Sequence, residues 1–140
     1  MRFLKYISAV NLIFILLISY MAYAQTYLNG TFLSIKDAKK RWGSIEYNAA
    51  EFTKSTEQKK GAMSFNLIMK KTYINKAMSK VRAEMGTPDS YFFSDTIYAY
   101  EITPPEENKE QWQLIFIPDD KLEKVKEIKI HKKCCYKSPF

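Results

Sequence analysis

Tyr73–Ile102, YINKAMSKVRAEMGTPDSYFFSDTIYAYEI, is the stretch that decides the fold. Met78, Val81 and Met85 stand at i, i+3 and i+7, one face of a helix. Gly86 follows where a helix ends in a left-handed residue, and Pro88 bars the helix from resuming. Beyond that corner the period drops to two. Tyr98, Tyr100 and Ile102 share one side, and Ile97, Ala99 and Glu101 the other. The spacing predicts a short helix halted by a glycine–proline corner and handed over to pleated strand.

Working outward, two more strands are expected downstream. In Gln111–Ile117, Trp112, Leu114 and Phe116 alternate with Gln111, Gln113 and Ile115. In Lys124–His131, Ile128 and Ile130 point inward and Lys129 and His131 outward. The polar turns at 104–109 and 118–121 are short, so neighbouring strands pair antiparallel. Tyr91-Phe92-Phe93 is expected to add a short extra strand. Upstream, Phe52–Lys71 reads as one long helix capped by Ser55, with Met63, Asn66, Leu67 and Lys70 on one side. Gly61 inside it costs about 1 kcal/mol against Ala, which signals a tight approach or a later helix start. Ile35, Ala38 and Trp42 form an earlier helical face, with Ser34 as N-cap, Asp37 at the capping-box position and Gly43 as terminator. The sum is an α+β fold, two or three helices packed on one face of a three- to four-stranded antiparallel meander.

The chain has 140 residues, enough for one domain, and a formal charge of +7. Arg2 and Lys5, then the apolar run Ala9–Met21, then Ala22-Tyr23-Ala24 make residues 1–24 a signal peptide cleaved after Ala24, the alternative being an uncleaved anchor. The expected plan is residues 25–54 as an N-terminal segment with a short helix, 55–133 as the α+β domain and 134–140 as a tail. The protein is then periplasmic or secreted. Its basic surface is compatible with weak contact to an anionic membrane.

The order of elements carries a family resemblance. Asn75–Asp89, NKAMSKVRAEMGTPD, resembles the G-x-[ST]-x-x-x-V-x-x-x-[LM]-G-x-P-[DE] signature of the BamE/SmpA-like fold, which beta-lactamase inhibitory proteins carry in duplicate. Asn75 stands at the signature's Gly and Ala77 at its Ser/Thr cap. The acylated Cys near the start of BamE-type proteins has no counterpart. The chain also resembles a set of bacterial secreted proteins without an assigned activity. They share Trp42-Gly43, Lys60-Gly61-Ala62-Met63, Pro88–Asp95 and His131-Lys132-Lys133-Cys134-Cys135. The resemblance implies an α+β module that acts by holding another protein, in envelope assembly or as an inhibitor.

Little in the chain speaks for catalysis. A single His and no nucleophile elbow exclude a Ser-His-Asp arrangement that does not use His131, and no glycine-rich phosphate loop is present. The Lys-rich Lys121–Lys133 lacks interleaved aromatics, which argues against nucleic acid. Asp89 and Asp95 beside aromatics admit acid–base work, but suit turn chemistry. His131, Cys134 and Cys135 are soft-metal candidates. A disulfide, within or between chains, and two inert thiols stay open as alternatives. The expectation is no enzyme, no cofactor and no resident metal, in a monomer or disulfide-linked dimer. Its partner is another protein, contacted by whichever of Tyr91, Phe92, Phe93 and Trp112 are exposed. An inhibitor or immunity protein for an exported enzyme or toxin, or a soft-metal binder, is the alternative.

Overall fold

The computed structural model describes Ile15, residues 31–103 and residues 110–133. The chain divides at Gly30, and all that follows belongs to the second unit, residues 31–140. Its described elements run β1 (Thr31–Leu33), α1 (Ile35–Trp42), α2 (Ala49–Phe52), α3 (Glu57–Met69), α4 (Met78–Met85), β2 (Tyr98–Glu101), β3 (Gln111–Pro118) and β4 (Val125–Lys133). Among the described residues no helix is long and apolar enough to cross a membrane. The targeting run Ala9–Met21 lies, but for Ile15, outside those residues, as do the 104–109 turn and the Cys pair.

The helices end where local chemistry ends them. Ser34 caps α1 by accepting from the Asp37 amide at 3.1 Å, and its hydroxyl donates to the Asp37 carboxylate at 2.6 Å. Gly43 closes α1 at φ 79°. The long helix expected over Phe52–Lys71 starts later, at Glu57, and ends at Met69, while Phe52 closes the separate short helix α2. Asn48 caps α2 through the Glu51 amide, and Ser55, expected to start a helix, donates its hydroxyl to the Glu51 carbonyl at 2.7 Å. The hydroxyl that was expected to cap the turn ahead is thus directed to the turn behind it. The N-cap of α3 falls to Thr56, which makes no side-chain cap bond.

α4 starts at Met78 and stops at Gly86, φ 84°, as the sequence predicts. Asn75 takes φ 63°, a left-handed conformation that Gly or Asn tolerates best. Ala77 has no cap to offer, and the Met78 amide donates instead to the Glu123 carbonyl at 2.8 Å. Asn75 and Lys76 exchange bonds with Val125 at 2.9 Å, which ties the start of α4 to the start of β4.

The sheet has the order β1-β4-β3-β2, every pair antiparallel. β2, β3 and β4 are the expected meander. The fourth strand is β1, whereas Tyr91-Phe92-Phe93 is loop, touching the sheet through one isolated bridge, Ser90 to Ala99. Three residues hold too few alternations for β1 to announce itself.

One face of the sheet is the main core. Tyr100, Trp112, Leu114, Phe116, Ile128 and Ile130 meet Trp42, Met63, Leu67, Met78, Val81 and Met85 from the helices. Each such buried side chain contributes roughly 1.5–3 kcal/mol. Inside it, Tyr47 and Tyr73 share a hydrogen bond of 2.9 Å, and Tyr73 donates to Glu84 at 2.7 Å. Burial pushes the Tyr47 hydroxyl up to about 12, and Tyr73 further in the same direction.

Candidate functional site

The sheet's second face is organised by the loop that follows the glycine–proline corner. Residues 111, 113, 115 and 117 of β3 lie opposite 133, 131, 129 and 127 of β4. Ala99 and Ile115 form a small second core there with Phe92, and Phe32, Ile97 and Ile117 pack around it. The second face is therefore not bare sheet: the loop covers its centre.

The loop is fastened at several points. Asp89 accepts the Glu101 amide at 2.7 Å and Ser90 donates its amide to the Ala99 carbonyl at 3.1 Å, so both carry turn and edge chemistry along β2. Phe92 is 8% exposed, edge-on to Phe93 at 4.7 Å and to His131 at 4.5 Å. The residues on either side point the other way, with Tyr91 61% and Phe93 51% exposed. Phe93 holds φ 57°, and the Tyr91 hydroxyl donates to its carbonyl. Ser94 bonds to the Phe92 carbonyl through its amide and to Thr96 through its hydroxyl.

Behind the loop runs a polar chain. Gln113 is 1% exposed. Its amide oxygen accepts the Ser90 hydroxyl at 2.6 Å, and its nitrogen lies 3.1 Å from His131 Nδ1. With that nitrogen donating, Nδ1 is the acceptor and the imidazole is neutral. His131 is half-buried between Phe32 and Phe92, and burial holds its pKa below the ordinary value.

In front of the loop is a pocket of about 200 Å³. Arg82 from the last turn of α4, Thr87 and Pro88 from the corner, Tyr91 and Asp95 from the loop, and Tyr98 from β2 line it. Arg82 and Asp95 face the same space without reaching ion-pair distance of each other.

The four aromatics proposed as contacts thus divide. Tyr91 and Phe93 are open to solvent; Phe92 anchors the loop. Trp112, 3% exposed, belongs to the main core, edge-on to Trp42 at 6.2 Å, with Arg41 and Lys132 over its ring at 5.3 and 5.9 Å. Its indole N–H has no acceptor among the described residues. The alternation with Leu114 and Phe116 already places Trp112 on the core side. Among the described residues no group of three His, Cys, Asp or Glu is arranged to hold a metal, and Cys134 and Cys135 lie outside them. Arg82, Ser90 and Gln113 carry no motif. The one available signal was Gln113, a glutamine flanked by Trp112 and Leu114 and so a buried polar group that must find partners.

No protein family, no characterised protein and no solved structure matches the chain.

Proposed function

We propose that the chain is a non-enzymatic, exported interaction module that holds another protein through the Tyr91–Phe93 loop. The observation that carries this reading is the out–in–out order at 91, 92 and 93. Two large aromatics are presented to solvent on a backbone whose middle residue is locked into the second core. Exposed aromatics are the residue class that dominates interface energies. Holding them in place beforehand removes about 0.5–1.5 kcal/mol of ordering cost for each side chain on binding. The BamE/SmpA-like resemblance of Asn75–Asp89 supports this reading, and a role in envelope assembly is part of the proposal. Export, the other part, rests on residues 1–24.

A photo-crosslinking residue placed at Tyr91 in cells tests the reading, with one at Lys121, far along the chain on an exposed turn, as control. Expected is a discrete adduct from position 91, absent from 121 and lost when Phe93→Ala is added. Equal labelling from both positions refutes it. Cell fractionation with N-terminal sequencing tests export, and a mature chain beginning at Gln25 is expected.

A further inference from the structure

The pocket in front of the loop carries a prediction about what the partner presents. Of the two arginines in the described residues, Arg41 is committed to Glu110 at 2.9 Å. Arg82 has no ion pair and no side-chain hydrogen bond there, although Asp95 lines the same pocket. The two make no ion pair with each other, and the backbone around them is fixed. Gly86 and Pro88 set the corner, Tyr100 donates to the Gly86 carbonyl at 2.9 Å, and Ser90 is tied to Gln113. The loop's own hydroxyls are largely spent, since Tyr91 donates to Phe93 and Ser94 pairs with Thr96. What is left to address a ligand is the Arg82 side chain, the Asp95 side chain, and the neighbouring lining residues Pro88, Ile97, Tyr91 and Tyr98.

A guanidinium in a fork geometry matches a carboxylate, with two parallel N–H···O bonds. A carboxylate in the same pocket matches an N–H donor. The last residue of a polypeptide offers both groups a few bonds apart, together with one side chain. At about 200 Å³ the pocket is smaller than those that take drug-sized ligands, which suits a single residue. We infer that the Arg82 pocket captures the chain-terminal residue of the partner: its free carboxylate on Arg82, its backbone N–H on Asp95, and an apolar side chain against Ile97 and the ring of Tyr91. This rests on the reading of the loop as a docking surface and adds the chemistry that the partner brings to it. Phe93 stands outside the pocket lining and would contact the residues that precede the terminus.

The probe is N-acetyl-phenylalanine, which carries a terminal carboxylate, an N–H and an apolar ring. N-acetyl-phenylalanine amide lacks only the charge. N-acetyl-aspartate amide offers a side-chain carboxylate in place of a terminal one. Each is titrated into the protein lacking residues 1–24, followed by amide and arginine side-chain NMR shifts. Expected are saturable shifts at Thr87, Tyr91, Tyr98 and the Arg82 guanidinium with the first probe. The amide should bind roughly tenfold or more weakly, the weight of a charge-assisted bond. Arg82→Gln, an exposed change at the end of a helix, should bring the acid down to the level of the amide, and Arg82→Lys should restore only part. Equal binding of acid and amide, or acid binding unaffected by Arg82→Gln, overturns the inference. Tighter binding of the aspartate probe overturns the terminal assignment in favour of an internal acidic side chain. The crosslink at Tyr91 is read separately. If it persists while the acid fails to bind, the docking surface stands and the carboxylate chemistry falls. If the acid binds and the crosslink is not specific, the reverse holds.

Discussion

Gly61→Ala is the perturbation whose sign is most informative. In an isolated helix the change favours folding by about 1 kcal/mol, because Ala has less backbone freedom to lose. In α3 a Cβ on residue 61 would lie 2.3 Å from both Cγ and Cδ2 of Trp42 and 2.7 Å from Cδ1, whereas ordinary contact is 3.4–4 Å. The indole would have to retreat by roughly 1 Å. It has no room: its other side meets Trp112 edge-on, Arg41 lies over it at 5.3 Å, and its own backbone carbonyl accepts from Gln58 at 2.9 Å. Overpacking against a rigid neighbour costs about 1–3 kcal/mol or more. With a clash this deep the upper end applies, and after the helix gain a net loss of about 2 kcal/mol is expected. In urea the midpoint should fall by about 1 M, using a slope of about 2 kcal/mol per molar. The coupling is directional. In a Trp42→Leu background, which is less stable to begin with, Gly61→Ala should be neutral or stabilising, so the double-mutant cycle should return about 2 kcal/mol of interaction. A Gly61→Ala protein as stable as the parent, or an additive cycle, would refute the claim that α1 and α3 meet across this glycine.

Three further outcomes follow from the same coordinates. Because burial lowers the pKa of His131, the unfolded chain takes up a proton first as pH falls through about 6.5, so stability declines below that value and levels off beneath the folded pKa. Urea midpoints between about pH 7.5 and pH 5 should show this fall, and His131→Phe should flatten it. At the alkaline end Tyr47, Tyr73 and Tyr100 are all pushed up by burial, so unfolded tyrosines ionise near pH 10 while these stay protonated. Stability should drop above about pH 10, and absorbance titration should show the late ionisations only as the fold is lost. Ser34→Ala removes the α1 cap and should cost about 1 kcal/mol by thermal denaturation, with no change in the loop's crosslinking.

What the sequence disclosed was what depends on near neighbours. The Gly86–Pro88 corner, the α1 cap at Ser34 and the alternation in β3 are each decided within a few residues, and each is present. Gly61 was legible as a tight approach but without its partner, because the indole it accommodates lies nineteen positions earlier in the chain. The later start of α3, at Glu57, goes with Ser55 turning its hydroxyl back to the Glu51 carbonyl, and the sequence permits either direction. β1 has too few residues to show a period and gains its place from β4, opposite Lys132, His131 and Ile130. The site was half legible. Its aromatics stood out, but which face of the chain each occupies was decided by the loop folding back over the second face.

That folding back is where local preference and structure disagree, and the disagreement has a direction. Phe93 sits at φ 57°, a region that Gly or Asn would occupy at less cost, and strain of this kind is about 1–3 kcal/mol. Tyr91 and Phe93 leave large apolar rings in water, where polar residues would serve folding equally well. Arg82 and Asp95 forgo an ion pair within one pocket. None of these choices helps the domain fold, and all of them lie within one corner–loop segment and the helix end that precedes it. The rest of the described chain has departures of its own: Lys71 at φ 52°, Leu122 at φ 60° and 54% exposed, and a register shift in β3 between Ile117 and Pro118. What sets the corner–loop segment apart is its support from behind: Phe92 is packed into the second core and Ser90 is tied to the buried Gln113, which is the rigidity that the proposed docking role asks of it.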